Sequence, residues 1–320
     1  MPEPIEFRAA AGGQFEAESH GLVDLAVRRG PWSATLFTDT LDLRWSPGFA
    51  RGRAEVGFRA GAFAGDMWIT PWTDGAPDDA RKQWVASVGP DALAQRWLAN
   101  GWYLEGFGAA RFVSYRALEA FEVEDMLQLR GEASIGGWFD QGALSVRMTG
   151  GLDELVSETS RTAPHATFSA ALAPRGRFRP IGEAHAGVAS GQDDRIATRL
   201  GGLTPYHVPL AGAAWAEFWV EDYATVRTGL EIAPGDWAFA GLLDAGVWAY
   251  PALTSLPAPG ARDGAVGLAG RVRWAPPAAT CEVAVAGSPT LERQPGISRL
   301  SAFFSVSTRW NALRGSGGRP

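Results

Sequence analysis

The residues able to do chemistry in this 320-residue chain are charged side chains spaced two apart, not a compact catalytic motif. Arg51, Arg53, Arg59, Arg130, Glu132, Glu217, Arg227, Glu231, Asp244, Arg271 and Arg273 alternate with apolar or small neighbours. If alternate positions share one face, these groups line a polar surface that selects solutes or anchors an inserted loop through charge-assisted hydrogen bonds. In a soluble two-layer sheet the same residues are simply the solvated face. Enzyme chemistry has little to build on. The histidines, His20, His165, His185 and His207, show no HExxH or other ligand spacing, and no GxSxG elbow, P-loop or GxGxxG fingerprint occurs. A carboxylate pair or Ser/His/Asp set assembled only in three dimensions is the remaining catalytic option. The expectation is therefore no enzyme, no metal and no cofactor. The one cysteine, Cys281, cannot form an intramolecular disulfide or a cysteine metal site, and beside Val283 and Val285 it reads as a small hydrophobe.

What positions these charges is a period-two pattern, the signature of two-faced strands. Ala216, Phe218, Val220, Ala224, Val226, Leu230 and Ile232 take the even positions, opposite Glu217, Glu221, Thr225, Arg227 and Glu231. Val23, Leu25 and Val27 oppose Asp24 and Arg28, and a second strand is expected from Trp32 to Trp45. Ala54, Val56, Phe58 and Ala60 oppose Arg53, Glu55 and Arg59. The pattern lapses over 71–100, expected as a long surface loop with a short amphipathic helix at Asp91 to Leu98, and lapses again over 191–212. Strands are read at Trp102–Phe112, Leu127–Ile135, Leu144–Met148, Ala166–Leu172 and Ala184–Val188, and five more after Gly212. The direct count is thirteen; single-chain bacterial barrels have even numbers, so twelve to sixteen are expected.

Composition fits but does not decide. Forty glycines and fourteen tryptophans suit a chain of turns, small residues and interfacial aromatics. A net charge of −6 without any basic block argues against a nucleic-acid partner. No apolar stretch reaches the ~18 residues of a spanning helix, because Asp244 interrupts the best candidate, Trp237 to Leu243. If the chain spans a membrane, it does so as an all-β, antiparallel transmembrane β-barrel. A single domain over 1–320 is expected, in the bacterial outer membrane and against its lipid, with a tail at 311–320. The opening Met-Pro-Glu-Pro-Ile-Glu lacks the basic region and apolar core of a signal peptide, so the membrane reading implies a mature or truncated form.

The stretch Gly241-Leu242-Leu243-Asp244-Ala245-Gly246-Val247-Trp248 resembles the barrel motif of the BamA/TamA superfamily, a large apolar residue, any residue, Asp, any residue, Gly. As in that family, it falls on the second strand after a long segment, and five strands follow the segment. Arg199-Leu200-Gly201-Gly202 resembles the family's Gly-Gly lead-in, and Glu217 matches a glutamate just after the loop. The final strand, with Phe304, Val306 and Trp310, is similar to the aromatic C-terminal signal read by the barrel assembly machinery. The family's loop tip is Arg-Gly-aromatic; here it reads Leu203-Thr-Pro-Tyr206-His-Val-Pro-Leu-Ala-Gly212, without arginine, and there is no room for POTRA domains.

The resemblance implies a Gram-negative outer-membrane barrel without POTRA domains, acting in insertion or translocation of client outer-membrane or secreted proteins, or as a scaffold. It implies that 191–212 folds inward, with Asp244 accepting hydrogen bonds from loop donors or lumenal arginines such as Arg227. It also implies a weak seam between a first strand near Val23 to Val27 and the last, Leu300 to Trp310. Two alternatives stay open. A passive diffusion pore would conduct steadily, and a soluble β-rich binding protein or enzyme would bury Phe218, Val226 and Phe304 against a second sheet.

Overall fold

A computed structural model describes residues 5–15, 19–38, 40–49, 52–61, 68–69, 72–73, 76–77, 83–117, 124–158, 160–192, 196–202, 208–213, 217–252, 260–277, 279–295 and 297–311. Sixteen strands form the wall: β1 (Ile5–Phe15), β2 (Ser19–Arg29), β3 (Trp32–Phe37), β4 (Thr40–Trp45), β5 (Gly52–Ala60), β6 (Gln83–Trp97), β7 (Trp102–Ala117), β8 (Met126–Phe139), β9 (Leu144–Val156), β10 (Ser160–Leu172), β11 (Phe178–Ala189), β12 (Asp222–Ile232), β13 (Trp237–Ala249), β14 (Arg262–Trp274), β15 (Ala279–Gly287) and β16 (Leu300–Asn311). Each pairs antiparallel with the next, and β1 pairs with β16, so the sheet closes on itself. Closure leaves no free edge, which a membrane demands of any β structure.

Alternation sorts the side chains as a transmembrane barrel requires. Val226, Val247, Leu268, Val283, Phe304 and Val306 are exposed on the outer face, whereas Glu105, Asp153, Glu231 and Asp244 are buried inside. The soluble alternative needed Val226 and Phe304 buried; both are exposed. Phe218 is buried, but inside the barrel: Phe218–Val220 is a short strand separate from the wall. The start of β1 and the end of β16 lie at one end with the turns after β2, β6, β8 and β12, and there the outer rim carries Trp32, Trp45, Trp102, Trp237 and Trp274, all exposed. Tryptophan favours the membrane–water boundary, so this ring marks one interface.

Four sequence expectations change. The surface loop expected over 71–100, with its helix at Asp91 to Leu98, contains β6 instead. Small residues and Pro90 disguised it: outward Ala92 and Ala94 contrast weakly with inward Asp91 and Gln95, and the β6–β7 ladder skips Gly89 and Pro90. The single strand expected from Trp32 to Trp45 is two six-residue strands, β3 and β4, joined at a turn where Thr38 takes φ 52° without glycine or proline to announce it. The first strand is β1, not Val23 to Val27, which lies on β2; Ala9-Ala10-Ala11-Gly12-Gly13 has no polar–apolar contrast to read. Adding β1, β6 and the β3–β4 split to thirteen gives sixteen, within the expected range. Finally, β16 runs to Asn311, so the tail expected from 311 starts inside a strand, and 312–320 lie outside the described residues.

The closing pair runs from Glu6 opposite Asn311 to Phe15 opposite Ala302. Over Ala9–Gly13 its β1 side carries only small residues. At Gly12 any Cβ would overlap the carbonyl oxygen of Phe304. Gly12→Val is expected to weaken closure by about 1–3 kcal/mol, an overpacking penalty. The mobility difference between boiled and unboiled protein on a denaturing gel should then vanish at a lower temperature. Gly106→Val, facing open space, should leave it unchanged.

Candidate functional site

A sixteen-stranded ring is wide enough to leave an aqueous channel unless something fills it. Here the described residues of the segment joining β11 to β12 lie inside the wall as a plug. Thr198–Leu200 pairs with Phe218–Val220 as a small hairpin inside the wall, and Leu200, Leu210, Ala211, Trp219 and Val220 have no solvent exposure. Gly201 and Gly202, both at positive φ, turn the chain back: the Gly201 N–H donates to the Val208 carbonyl and the Leu210 N–H to that of Gly202. Leu200, Leu210, Phe218, Val220, Tyr223, Trp248 and Leu291 form one apolar cluster, which supplies the burial that holds this plug.

Three consecutive plug residues meet three adjacent wall strands at glycines. A Cβ on Gly246 of β13 would touch Leu210 at 3.4 Å. One on Gly267 of β14 would overlap the Ala211 carbonyl. Gly212 itself, at φ +82°, lies where a Cβ would overlap Gly287 and Ser288 at the end of β15. Gly246 and Gly267 thus leave a groove on the inner face, at whose floor the Ala211 carbonyl lies against the Gly267 backbone, a contact only glycine permits.

Asp244 sits in the middle of this seat, almost wholly buried. Its Oδ1 accepts from Arg227 Nε and its Oδ2 from Arg227 Nη2, each at 2.7 Å, and Oδ2 also accepts from the Ala211 N–H at 2.7 Å. The loop tip has no arginine, and β12 of the wall supplies one instead. The plug is therefore held by its main chain, with the carboxylate oriented by a bidentate guanidinium. A second buried carboxylate, Glu217, is held by Arg293 from the β15–β16 connection, at 2.6 and 2.7 Å.

Elsewhere the lumen charges pair within the wall. Arg271 and Arg273 of β14 and Arg179 of β11 converge on Glu231 of β12 at 3.0, 3.2 and 3.1 Å, apart from the plug. Arg59 and Arg44 share Asp42, Arg147 meets Glu105, and Arg130 and His165 meet Asp153. A polar cavity of about 300 Å³ lies between the plug and the β8–β11 wall, lined by Arg130, Arg147, His165, His185 and Gln192. No group of three metal-ligating side chains occurs among the described residues.

Of the residues singled out by sequence, Asp244, Arg227, Gly246 and Glu217 therefore converge on the plug, with Gly201 and Gly202 shaping it. Arg271 and Arg273 belong to the wall network. Tyr206 and Arg51 lie outside the described residues. At the seam, Phe304 stacks on Phe15 with ring centres 5.7 Å apart, Val306 lies opposite Ala11, and Trp310 takes its register opposite Phe7. Sequence reasoning missed Arg293, Gly267 and Gly212. Arg293 lies in a stretch without periodicity, and the glycines differ from the chain's many others only by what approaches them.

No protein-family model matches this sequence, and no curated protein matches it by sequence. Solved structures do match by shape. CdiB from Acinetobacter baumannii superposes over 96% of this chain with TM-score 0.65 and 7% identity, and CdiB from Escherichia coli over 97% with TM-score 0.67 and 9% identity. BamA from Haemophilus ducreyi lacking POTRA domains 1–3 superposes over 97% with TM-score 0.67 and 11% identity. The chain spans 60% and 64% of those CdiB chains and 71% of that BamA chain. With its closed sixteen-stranded wall, this chain has the barrel fold of BamA and CdiB.

Proposed function

We propose that this chain is an outer-membrane barrel that inserts or translocates proteins, with residues 190–220 as the plug of its resting state and the β1–β16 pair as its lateral opening. The observation that carries the reading is the built seat of the plug: a buried carboxylate on its main chain, a glycine groove beneath it and an apolar cluster around it. A passive pore has no use for such a seat.

The seam supports the insertion arm. Cross-strand side-chain pairs stabilise a sheet beyond its backbone bonds, and five successive Ala and Gly residues on β1 leave this pair mostly to its backbone. An incoming strand that offers the same backbone bonds competes on equal footing, which is strand addition to an edge. Nearby, β3 and β4 run only six residues, about 20 Å along each strand. That is short for a bilayer, so lipid beside the seam is thinned. The partners are outer-membrane lipid and unfolded client chains, with no cofactor.

Two measurements test this. Liposomes carrying the barrel should fold a urea-unfolded small outer-membrane barrel faster than empty liposomes, and equal rates would remove the insertion role. In planar bilayers the intact barrel should be mostly closed and a variant lacking 191–212 should conduct. Steady conductance from the intact protein would favour the pore.

A further inference from the structure

We infer that the β15–β16 connection, 288–299, is a strap that locks the plug from the end of the barrel opposite the chain termini, with Arg293 as its bolt. The inference rests on the plug reading above and adds a second element that must move before the lumen opens.

Beyond Gly287 the β15 ladder stops, and the connection continues along the uncovered edge of β14 through side chains. Ser288 Oγ donates to the Val266 carbonyl at 2.6 Å, and the Val266 N–H donates to Thr290 Oγ1 at 2.8 Å. Ser288 Oγ also accepts from the Leu291 N–H at 3.1 Å, turning the strap inward. Leu291 then enters the apolar cluster with Leu200, Leu210 and Phe218. Two residues later Arg293 reaches the plug three times: Nη1 and Nη2 donate to the two oxygens of Glu217, and Nη2 donates to the Gly212 carbonyl at 3.0 Å. Its side chain is 4% exposed and that of Glu217 2%.

The placement makes the lock directional. Glu217 leads into the plug strand Phe218–Val220, just before the wall resumes at Asp222, and Gly212 is the residue pressed on Ser288. Arg293 therefore clips both limbs of the plug's return path to a loop at the end away from the chain termini. Lifting the strap takes from the buried Glu217 the guanidinium that holds both its oxygens and from the Gly212 carbonyl its donor, which releases this side of the plug.

The test compares variants of the full chain in planar bilayers, with detergent-solubilised melting as a folding readout. Arg293→Met should raise open probability several-fold, toward that of the variant lacking 191–212. The exchange Glu217→Arg with Arg293→Glu should return the barrel to its closed state. Glu217→Gln with Arg293→Gln should lie closer to closed than Arg293→Met, because the two amides can still hydrogen-bond and no buried carboxylate loses its guanidinium. If Arg293→Met does not fold, the two double variants decide alone: both closed supports the strap, and both as open as the deletion overturns it. Closed Arg293→Met with a conducting deletion also overturns the strap and leaves the plug reading standing. No conductance from the deletion overturns the plug reading itself.

Discussion

Gly267→Ala should empty the lumen while leaving the wall intact. The added methyl would occupy the position of the Ala211 carbonyl, which is backbone and has no rotamer to yield. Moving β14 instead would break its ladders with β13 and β15. The plug is tied to the wall by fewer bonds, so it should give way. The expected phenotype is conductance like that of the variant lacking 191–212, an unchanged β-type circular dichroism spectrum and an unchanged gel shift. Gly241→Ala, one strand away and facing open space, is the control and should behave as the parent. A closed barrel in Gly267→Ala would mean that the glycine groove is not the plug's seat.

The second large effect is expected at Asp244, and here stability and gating separate. Asp244→Ala takes both charge-assisted hydrogen bonds from Arg227, only 12% exposed, and leaves it Glu183 at 3.8 Å, at a cost of up to about 3–5 kcal/mol. It also removes the acceptor of the Ala211 N–H, worth about 1–3 kcal/mol if that group stays dry. The variant should melt well below the parent and conduct. Adding Arg227→Leu to Asp244→Leu removes both charges and should recover most of the stability, because a well-packed apolar pair replaces an ion pair at little loss. Conductance should stay raised, since the Ala211 N–H still lacks its acceptor. A double variant that melts normally and stays closed would mean that Asp244 only neutralises Arg227 and does not hold the plug.

The two carboxylates act at different levels. Asp244 belongs to the wall and holds the plug's main chain; Glu217 belongs to the plug and is held from the strap. Arg227 also explains how a loop tip without arginine can be anchored at Asp244. The cation comes from the neighbouring strand, at the register position directly opposite Asp244. The ion pair is then local to the wall, and the plug needs to contribute only a backbone N–H.

By itself the sequence determined the class of fold and the two faces of the wall. Alternation is a local property: where apolar and charged residues take turns, as over Ala54 to Ala60 or Ala224 to Ile232, the strand and its inward side can be read from neighbours alone. Asp244 was legible the same way, as a charged residue on the inward side of its strand, whereas Gly246 stood out only through the resemblance of its stretch to the BamA/TamA barrel motif. The reading failed where alternation lost contrast. β1 is Ala and Gly through its middle, β6 alternates small with polar around Pro90, and the β3–β4 turn uses Thr38 in place of glycine. Only the tertiary structure decided the site. Whether a glycine is a gap in a strand or the floor of a groove depends on which backbone comes within touching distance, as Ala211 does at Gly267. Arg293 and Glu217 lie far apart in the chain, and nothing in the residues around either one encodes the other. Their meeting follows from the curvature of the barrel wall, which brings two connections 76 residues apart into one confined lumen where a buried charge must find its partner.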